Sequence, residues 1–364
     1  MKRTRYGVRS PRSAPRFGVL FGAAAAGVLM TGAGQEARSE GTRLTAAAAV
    51  PAWVPSVPSP GSSRAVLETA VLYVDPHSTA RSQVESWRSS RPREAALLDR
   101  EVASQPSGIW FGDWNRSVRN DVSAVMTSAA RQGALPVLVA YNIPLRDCGS
   151  HSAGGAGSAG AYRSWIGEFA RGLNGRRAIV VLEPDALAST ECLSTAQRNE
   201  RFALLKHATE TLSAQGALVY IDAGHAQWLS AAETASRLIQ AGVRSAAGFS
   251  LNVSNFIGNE ANIRFGDDVS RRTGGAHYVI DTSRNGAGPT ADLQWCNPSG
   301  RALGTRPTTR TAHAKLDALL WIKKPGESDG SCNGGPAAGQ WWADYALGLA
   351  QRSTPVMALA DARR

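Results

Sequence analysis

The chain has 364 residues, 43% of them hydrophobic and 19% charged, with a formal net charge of +11. That length allows one large α/β domain or two smaller ones. Lys2, Arg3, Arg5, Arg9, Arg12 and Arg16 crowd the start, which leaves +5 for the rest; with no dense Lys/Arg run interleaved with aromatics beyond residue 40, a nucleic-acid partner is set aside.

Residues 1–34 read as a secretory signal peptide, an acid-free basic start followed by the uncharged, Ala/Gly-rich stretch from Phe17 to Gly34. A membrane anchor is the rival reading, but the stretch is weakly apolar and near the lower length limit for spanning a bilayer. The expectation is an exported, extracellular chain with no stable membrane association after cleavage. Residues 35–64, with "PAWVPSVPSPGSS" near their end, read as a flexible Ala/Pro/Ser-rich linker. Residues 65–364 read as one globular domain, expected to be monomeric.

Within it, short apolar runs alternate with helix-like segments. The runs are "AVLYVD" (70–75), "LPVLVAYN" (135–142), "AIVVLEPD" (178–185), "ALVYIDAG" (217–224), "AAGFSLNVSN" (246–255), "HYVIDTSRNG" (277–286) and "ALLWIKKPGESDG" (318–330), with "GIWFGDW" (108–114) as a further candidate. Helical segments such as "AYRSWIGEFARGLNG" lie between them, several closing on Gly as helix C-termini do. The alternation predicts an α/β fold, a parallel sheet covered by helices. Most runs end on a polar or charged residue: Asp75, Asn142, Asp185, Asp222, Asn252, Asp281, Asp329. A parallel barrel gathers such ends on one face. No Gly-rich phosphate loop follows any run, so a closed or partly closed barrel is preferred over an open nucleotide-binding sheet.

Four cysteines, Cys148, Cys192, Cys296 and Cys332, lack zinc-ribbon spacing. In an exported chain they suggest two disulfides. Three pairings are open, and neighbour pairing, Cys148–Cys192 and Cys296–Cys332, is the first expectation.

Three segments concentrate chemistry. "VLVAYNIPLRDCGSHSAGG" places Tyr141, Arg146 and Asp147 before a Gly/Ser-rich stretch, which reads either as a surface loop or as a lid. "VVLEPDALAS" places Glu183 and Asp185 around a stiff Pro184; both acids could simply favour a helix N-terminus. "YIDAGHAQWL" adds Asp222, His225 and Trp228, and "WIKKPGESDGSC" adds Lys323, Glu327 and Asp329. Trp110, Trp228 and Trp295 fall at or after proposed strand ends, where buried core is the plain alternative to flat platforms for pyranose rings. Carboxylates and aromatics without metal or cofactor motifs point to glycoside hydrolysis, with no metal and no cofactor expected.

"YNIPLRDCGS", "VVLEPDAL", "YIDAGHAQWL", "SLNVSNF", "IDTSRNGAGP", "QWCNPSGRALG" and "WIKKPGESDG", in this order, resemble glycoside hydrolase family 6, above all its compact actinobacterial endoglucanases. The resemblance covers roughly residues 70–350. It implies a distorted, TIM-like parallel (β/α) barrel with seven strands and an open cleft. It also implies a secreted endo-β-1,4-glucanase that cleaves β-1,4-glucan with inversion. By motif, Asp185 resembles the general acid, Asp147 the partner that tunes it and relays a proton, and Asp329 the proposed base, whose role a water chain could take. Tyr141 resembles the tyrosine beside the distorted sugar, Arg146 should orient the aspartates, and Asp222 resembles a further aspartate of the site network. Trp110, His225, Trp228, Asn252, Trp295, Lys323 and Glu327 resemble substrate contacts, and Glu183 a supporting residue. The family's neighbour pairing of cysteines matches the first expectation. Short connections between motifs argue for internal cleavage. The alternatives are an exo-acting cellobiohydrolase, a noncatalytic glucan-binding protein, and a metal-dependent hydrolase.

Overall fold

A computed structural model describes residues 60–353; the expected leader, and the linker through residue 59, lie outside the described residues. Seven parallel strands pair in strict chain order: β1 (Ile109–Phe111), β2 (Val137–Ala140), β3 (Ile179–Leu182), β4 (Leu218–Asp222), β5 (Gly248–Leu251), β6 (His277–Asp281) and β7 (Leu316–Leu320). Parallel neighbours need long crossovers. Helices α4 (Val118–Arg131), α5 (Ala159–Leu173), α6 (Thr195–Ser213), α7 (Ala231–Gln240) and α8 (Asn259–Arg272) supply those from β1 to β6. Three helices, α1 (Pro60–Thr69), α2 (Thr79–Trp87) and α3 (Pro92–Leu98), precede the sheet, and α9 (Ala343–Arg352) follows it.

The helix starts are written locally. Ser78, Ser117, Ser158, Ser194 and Ser230 each accept a backbone N–H three residues on and so begin α2, α4, α5, α6 and α7. Ser194 and Gln197 add the reciprocal bond of a capping box. Each such cap stabilises by about 1 kcal/mol.

Strand periodicity sorts the core into two layers. Leu138, Ala140, Val180, Leu182, Val219 and Ile221 face the helices, while Val137, Val139, Ile179, Val181, Leu218 and Tyr220 face inward. The two sheet edges approach where Gly108 N–H donates to Trp321 O at 2.8 Å. A Cβ at Gly108 would stand 2.3 Å from Ile322 O, so only glycine permits this approach. The result is the expected distorted seven-stranded barrel.

Three boundaries differ from the sequence reading. The "AVLYVD" run forms a single bridge, Leu72 to Leu135, because β1 takes the β2 edge from Leu138 onward. Asp75 accordingly closes a turn on the His77 N–H at 2.9 Å. The last strand is Leu316–Leu320 rather than 318–330, so Asp329 comes from a loop. Helix α1 starts at Pro60, within the expected linker; Ser63 is buried and Arg64 donates to the carbonyls of His313 and Ala314. Among the described residues no helix is long and apolar enough to cross a membrane.

Candidate active site

The inward parity of the strands continues past their ends, and it delivers acids to the barrel mouth. Glu183, two residues beyond Val181, is fully buried. Its carboxylate accepts the N–H groups of Asn142 (2.9 Å) and Ile143 (2.9 Å), tying the β3 end to the loop after β2. Burial pushes its pKa up to about 7, although these bonds pull the other way. Asp222, at the end of β4, accepts Asp185 N–H at 2.9 Å, Gly224 N–H at 3.2 Å and the Ser250 hydroxyl at 3.1 Å. Asp281, at the end of β6, accepts the N–H groups of Ser254, Ser283, Ile322 and Lys323. The three carboxylates stitch neighbouring loops together around the mouth.

Above this ring sit the acids expected to react. Asp185 has φ 68° and Glu183 φ 51°, so the turn around Pro184 is left-handed at both acids and sends them different ways. Asp185 lines the cleft, and its pKa is raised well above the carboxylate range by burial first, then by Asp222, Asp147 and Asp329. Asp147 is also raised, mainly by burial, and one of its oxygens accepts Ser152 N–H at 2.7 Å. Asp329 behaves oppositely. Burial would raise it, but Arg284 and Lys323 outweigh that and its pKa is lowered. Arg284 Nη1 is 2.7 Å from Asp329 Oδ2 and Lys323 Nζ is 3.6 Å from Oδ1.

These acids open onto a cleft of about 760 Å³. Of the expected residues, Trp110, Tyr141, Asp147, Asp185, His225, Trp228, Trp295, Lys323 and Asp329 line it. Trp228 and Trp295 are 38% and 47% exposed, so neither belongs to the core. Trp110 donates Nε1–H to Ile322 O and meets Tyr141 edge-on at 5.2 Å. His225 Nδ1 accepts Gln227 N–H, which assigns the ring proton to Nε2, and burial lowers its pKa to about 4.

Four expected residues sit elsewhere. Asp222 lies beneath Asp185 as a support. Arg146 does not bond the aspartates; it donates to Tyr141 O, Ser152 O and Ala153 O and pairs with Asp113 at 3.1 Å, so it holds the loop that holds Asp147. Asn252 is fully buried, donating to Asp281 O and accepting Ile257 N–H. Glu327 pairs with Lys324 at 3.2 Å, outside the cleft. Two residues were missed. Arg284 is fully buried against Asp329. Asn297 grips Asp329 reciprocally, its N–H on Oδ2 and its Oδ1 on the Asp329 N–H. The available signal was an arginine three residues past a strand-end acid, and an asparagine beside a cysteine.

Both disulfides are the neighbour pairs, Cys148–Cys192 and Cys296–Cys332. Each anchors a loop carrying a cleft carboxylate.

The sequence profile of glycosyl hydrolases family 6 matches residues 67–353. Endoglucanase 1 of Streptomyces halstedii is 41% identical over 317 residues, covering 84% of this chain and 96% of that protein. Endoglucanase A of Cellulomonas fimi is 45% identical over 287 residues, 78% of this chain, which spans only 62% of that protein's length. An endoglucanase from Mycobacterium tuberculosis, solved in complex with methyl-cellobiosyl-4-deoxy-4-thio-β-D-cellobioside, superposes with a TM-score of 0.75 at 49% identity. That match covers 78% of this chain and 98% of the other.

Proposed function

The chain belongs to glycoside hydrolase family 6, and we propose that it is an exported endo-β-1,4-glucanase acting on cellulose or related β-glucan with inversion. The observation that carries this reading is the contrast between three carboxyls on one cleft. Asp185 is raised most, Asp147 is raised less, and Asp329 is held ionised by two cations. Environments that push carboxyls apart assign the acid and the base.

Asp185, protonated, donates to the glycosidic oxygen as that oxygen parts from the anomeric carbon. A water attacks the opposite face and loses a proton, so each turnover consumes one water and inverts the centre. Asp329 is a poor sink for that proton, because Arg284 and Lys323 stabilise its charge. Asp147 suits the task better. It lines the cleft, and burial raises its pKa, though less strongly than that of Asp185. Tyr141, Trp110, Trp228 and Trp295 supply the ring platforms, and neutral His225 offers Nε2–H to a sugar hydroxyl. Exposed platforms on an open cleft suit entry at an internal bond.

Proton NMR of cello-oligosaccharide cleavage, run with viscometry on a soluble cellulose derivative, tests this. The α-anomer should form first and viscosity should collapse early relative to reducing ends. First formation of the β-anomer would overturn inversion, and slow viscosity loss would favour the exo-acting alternative.

A further inference from the structure

Trp114 is the most exposed tryptophan among the described residues, at 54%, and it does not line the cleft. An indole left in water costs apolar burial, yet this one is held in place. Its ring lies on the backbone of Gly112, where a Cβ would stand 2.4 Å from the ring's Cζ3, so any other residue there would lift it. Gly112 is itself fixed by Asn115, whose Oδ1 accepts its N–H at 2.9 Å and whose Nδ2 donates to Asp121 at 2.8 Å. The Arg146 guanidinium sits 5.3 Å from the Trp114 ring centre and 4.6 Å from that of Tyr141. Tyr141 in turn meets Trp110. One connected row therefore runs from the cleft wall to the exposed indole. Asp113 pairs with the Arg146 of this row, its carboxylate 40% exposed and accepting the Gly155 N–H. An exposed flat ring, with a partly exposed carboxylate on the preceding residue, matches a pyranose, which stacks by its ring face and hydrogen-bonds by its equatorial hydroxyls.

We propose that Trp114 is the platform of a distal glucosyl subsite, extending the cleft beyond the Trp110–Tyr141 wall and engaging longer glucan chains. The proposal rests on the glucanase reading and separates from it as follows. Wild-type turnover of cellotriose to cellohexaose tests the glucanase reading. The chain-length dependence of a Trp114→Ala defect tests the subsite. The wild-type to variant ratio of kcat/KM should climb with chain length to roughly three- to tenfold on cellohexaose, the size of one aromatic contact, with Trp114→Phe restoring part of it. A ratio that stays flat with length overturns the subsite. Calorimetric binding of cellohexaose in an Asp185→Ala background gives a second readout that needs no turnover. There Trp114→Ala should weaken binding of the hexamer more than of the trimer, and equal affinities would overturn the subsite.

Discussion

Glu183 and Asp185 occupy one turn, both left-handed, and burial raises both, yet their partners give them different work. Glu183 spends its oxygens on the backbone N–H groups of Asn142 and Ile143. Asp185 receives only repulsion from neighbouring carboxylates, beyond the pull of Lys323. A left-handed non-glycine residue costs on the order of 1–3 kcal/mol, so the turn is held by its surroundings, with the Asp185 N–H on Asp222 as one anchor. Asp185→Ala should therefore lower kcat by about 10²- to 10⁴-fold, the usual span of general acid catalysis, on cello-oligosaccharides with their poor leaving group. Binding of cellohexaose should survive. The pH profile of kcat/KM carries a sharper expectation. Activity should fall on the alkaline side as Asp185 loses its proton, well above the ordinary carboxylate range near 4. The acid limb should report Asp147, whose pKa is raised, and not Asp329, whose pKa is lowered. Asp147→Asn should abolish the acid limb, whereas Asp329→Asn should lower the rate and leave the limb in place. The reverse pattern would return Asp329 to the role of base.

At the scale of elements, the strands supply parity and the loops supply chemistry. Asp147 lies beside Cys148, which has φ 46°, and Asn297, the clamp on Asp329, lies beside Cys296. Each disulfide thus fixes a reactive loop. Removing Cys148–Cys192, which spans 44 residues, as a double serine variant should cost about 4 kcal/mol by loop-closure entropy. It should also depress kcat more than KM, since the acids reposition while Trp228 and Trp295 stay. Urea unfolding and steady-state kinetics on cellohexaose check the two parts, and an unchanged kcat would detach the bridge from catalysis. These elements also explain what the sequence could and could not disclose. Strands β2 to β6 were legible because each is a short, apolar-rich run buried along its whole length. The start of β7 was hidden by Asp317, which sits in a bulge where Tyr278 pairs Leu316 and Val279 pairs Ala318. Asp185, Asp147, Trp110, Trp228 and Trp295, singled out from the motifs, all line the cleft, because strands and the loops that follow them emerge on one face. They did not place Asn252 and Glu327, whose side chains turn to Asp281 and Lys324 through loop folding that no period encodes.

Across the whole molecule, the barrel interior is layered. Toward the N-terminal ends, Asp317 accepts the Tyr220 hydroxyl at 2.7 Å and meets His277 Nδ1 at 2.7 Å. Above lies the apolar layer of Val139, Val181, Val279 and Leu320, and above that the ring of Glu183, Asp222 and Asp281. All three ring members have raised pKa values, with burial the largest cause. The ring therefore sets how stability depends on pH. A carboxyl whose pKa is higher in the fold than in the unfolded chain binds its proton more tightly when folded. Its contribution is complete below the unfolded value and is lost as pH rises through the folded one. For Glu183 that window runs from 4.5 to about 7, a loss of roughly 3 kcal/mol. Asp329 runs the other way, because its lowered pKa favours the fold above its unfolded value and withdraws that support only in acid. Glu183→Gln removes the titration while keeping one acceptor for the Asn142 and Ile143 N–H groups. Urea unfolding at pH 5 and pH 8 should show the wild type losing more stability than the variant across that interval, by roughly 3 kcal/mol. Equal losses would mean that Glu183 is ionised throughout and that its backbone N–H bonds outweigh its burial. The proton on Glu183 steadies the barrel mouth, and the proposed acid role of Asp185 depends on a separate proton, so stability and turnover should each decline on the alkaline side with its own midpoint.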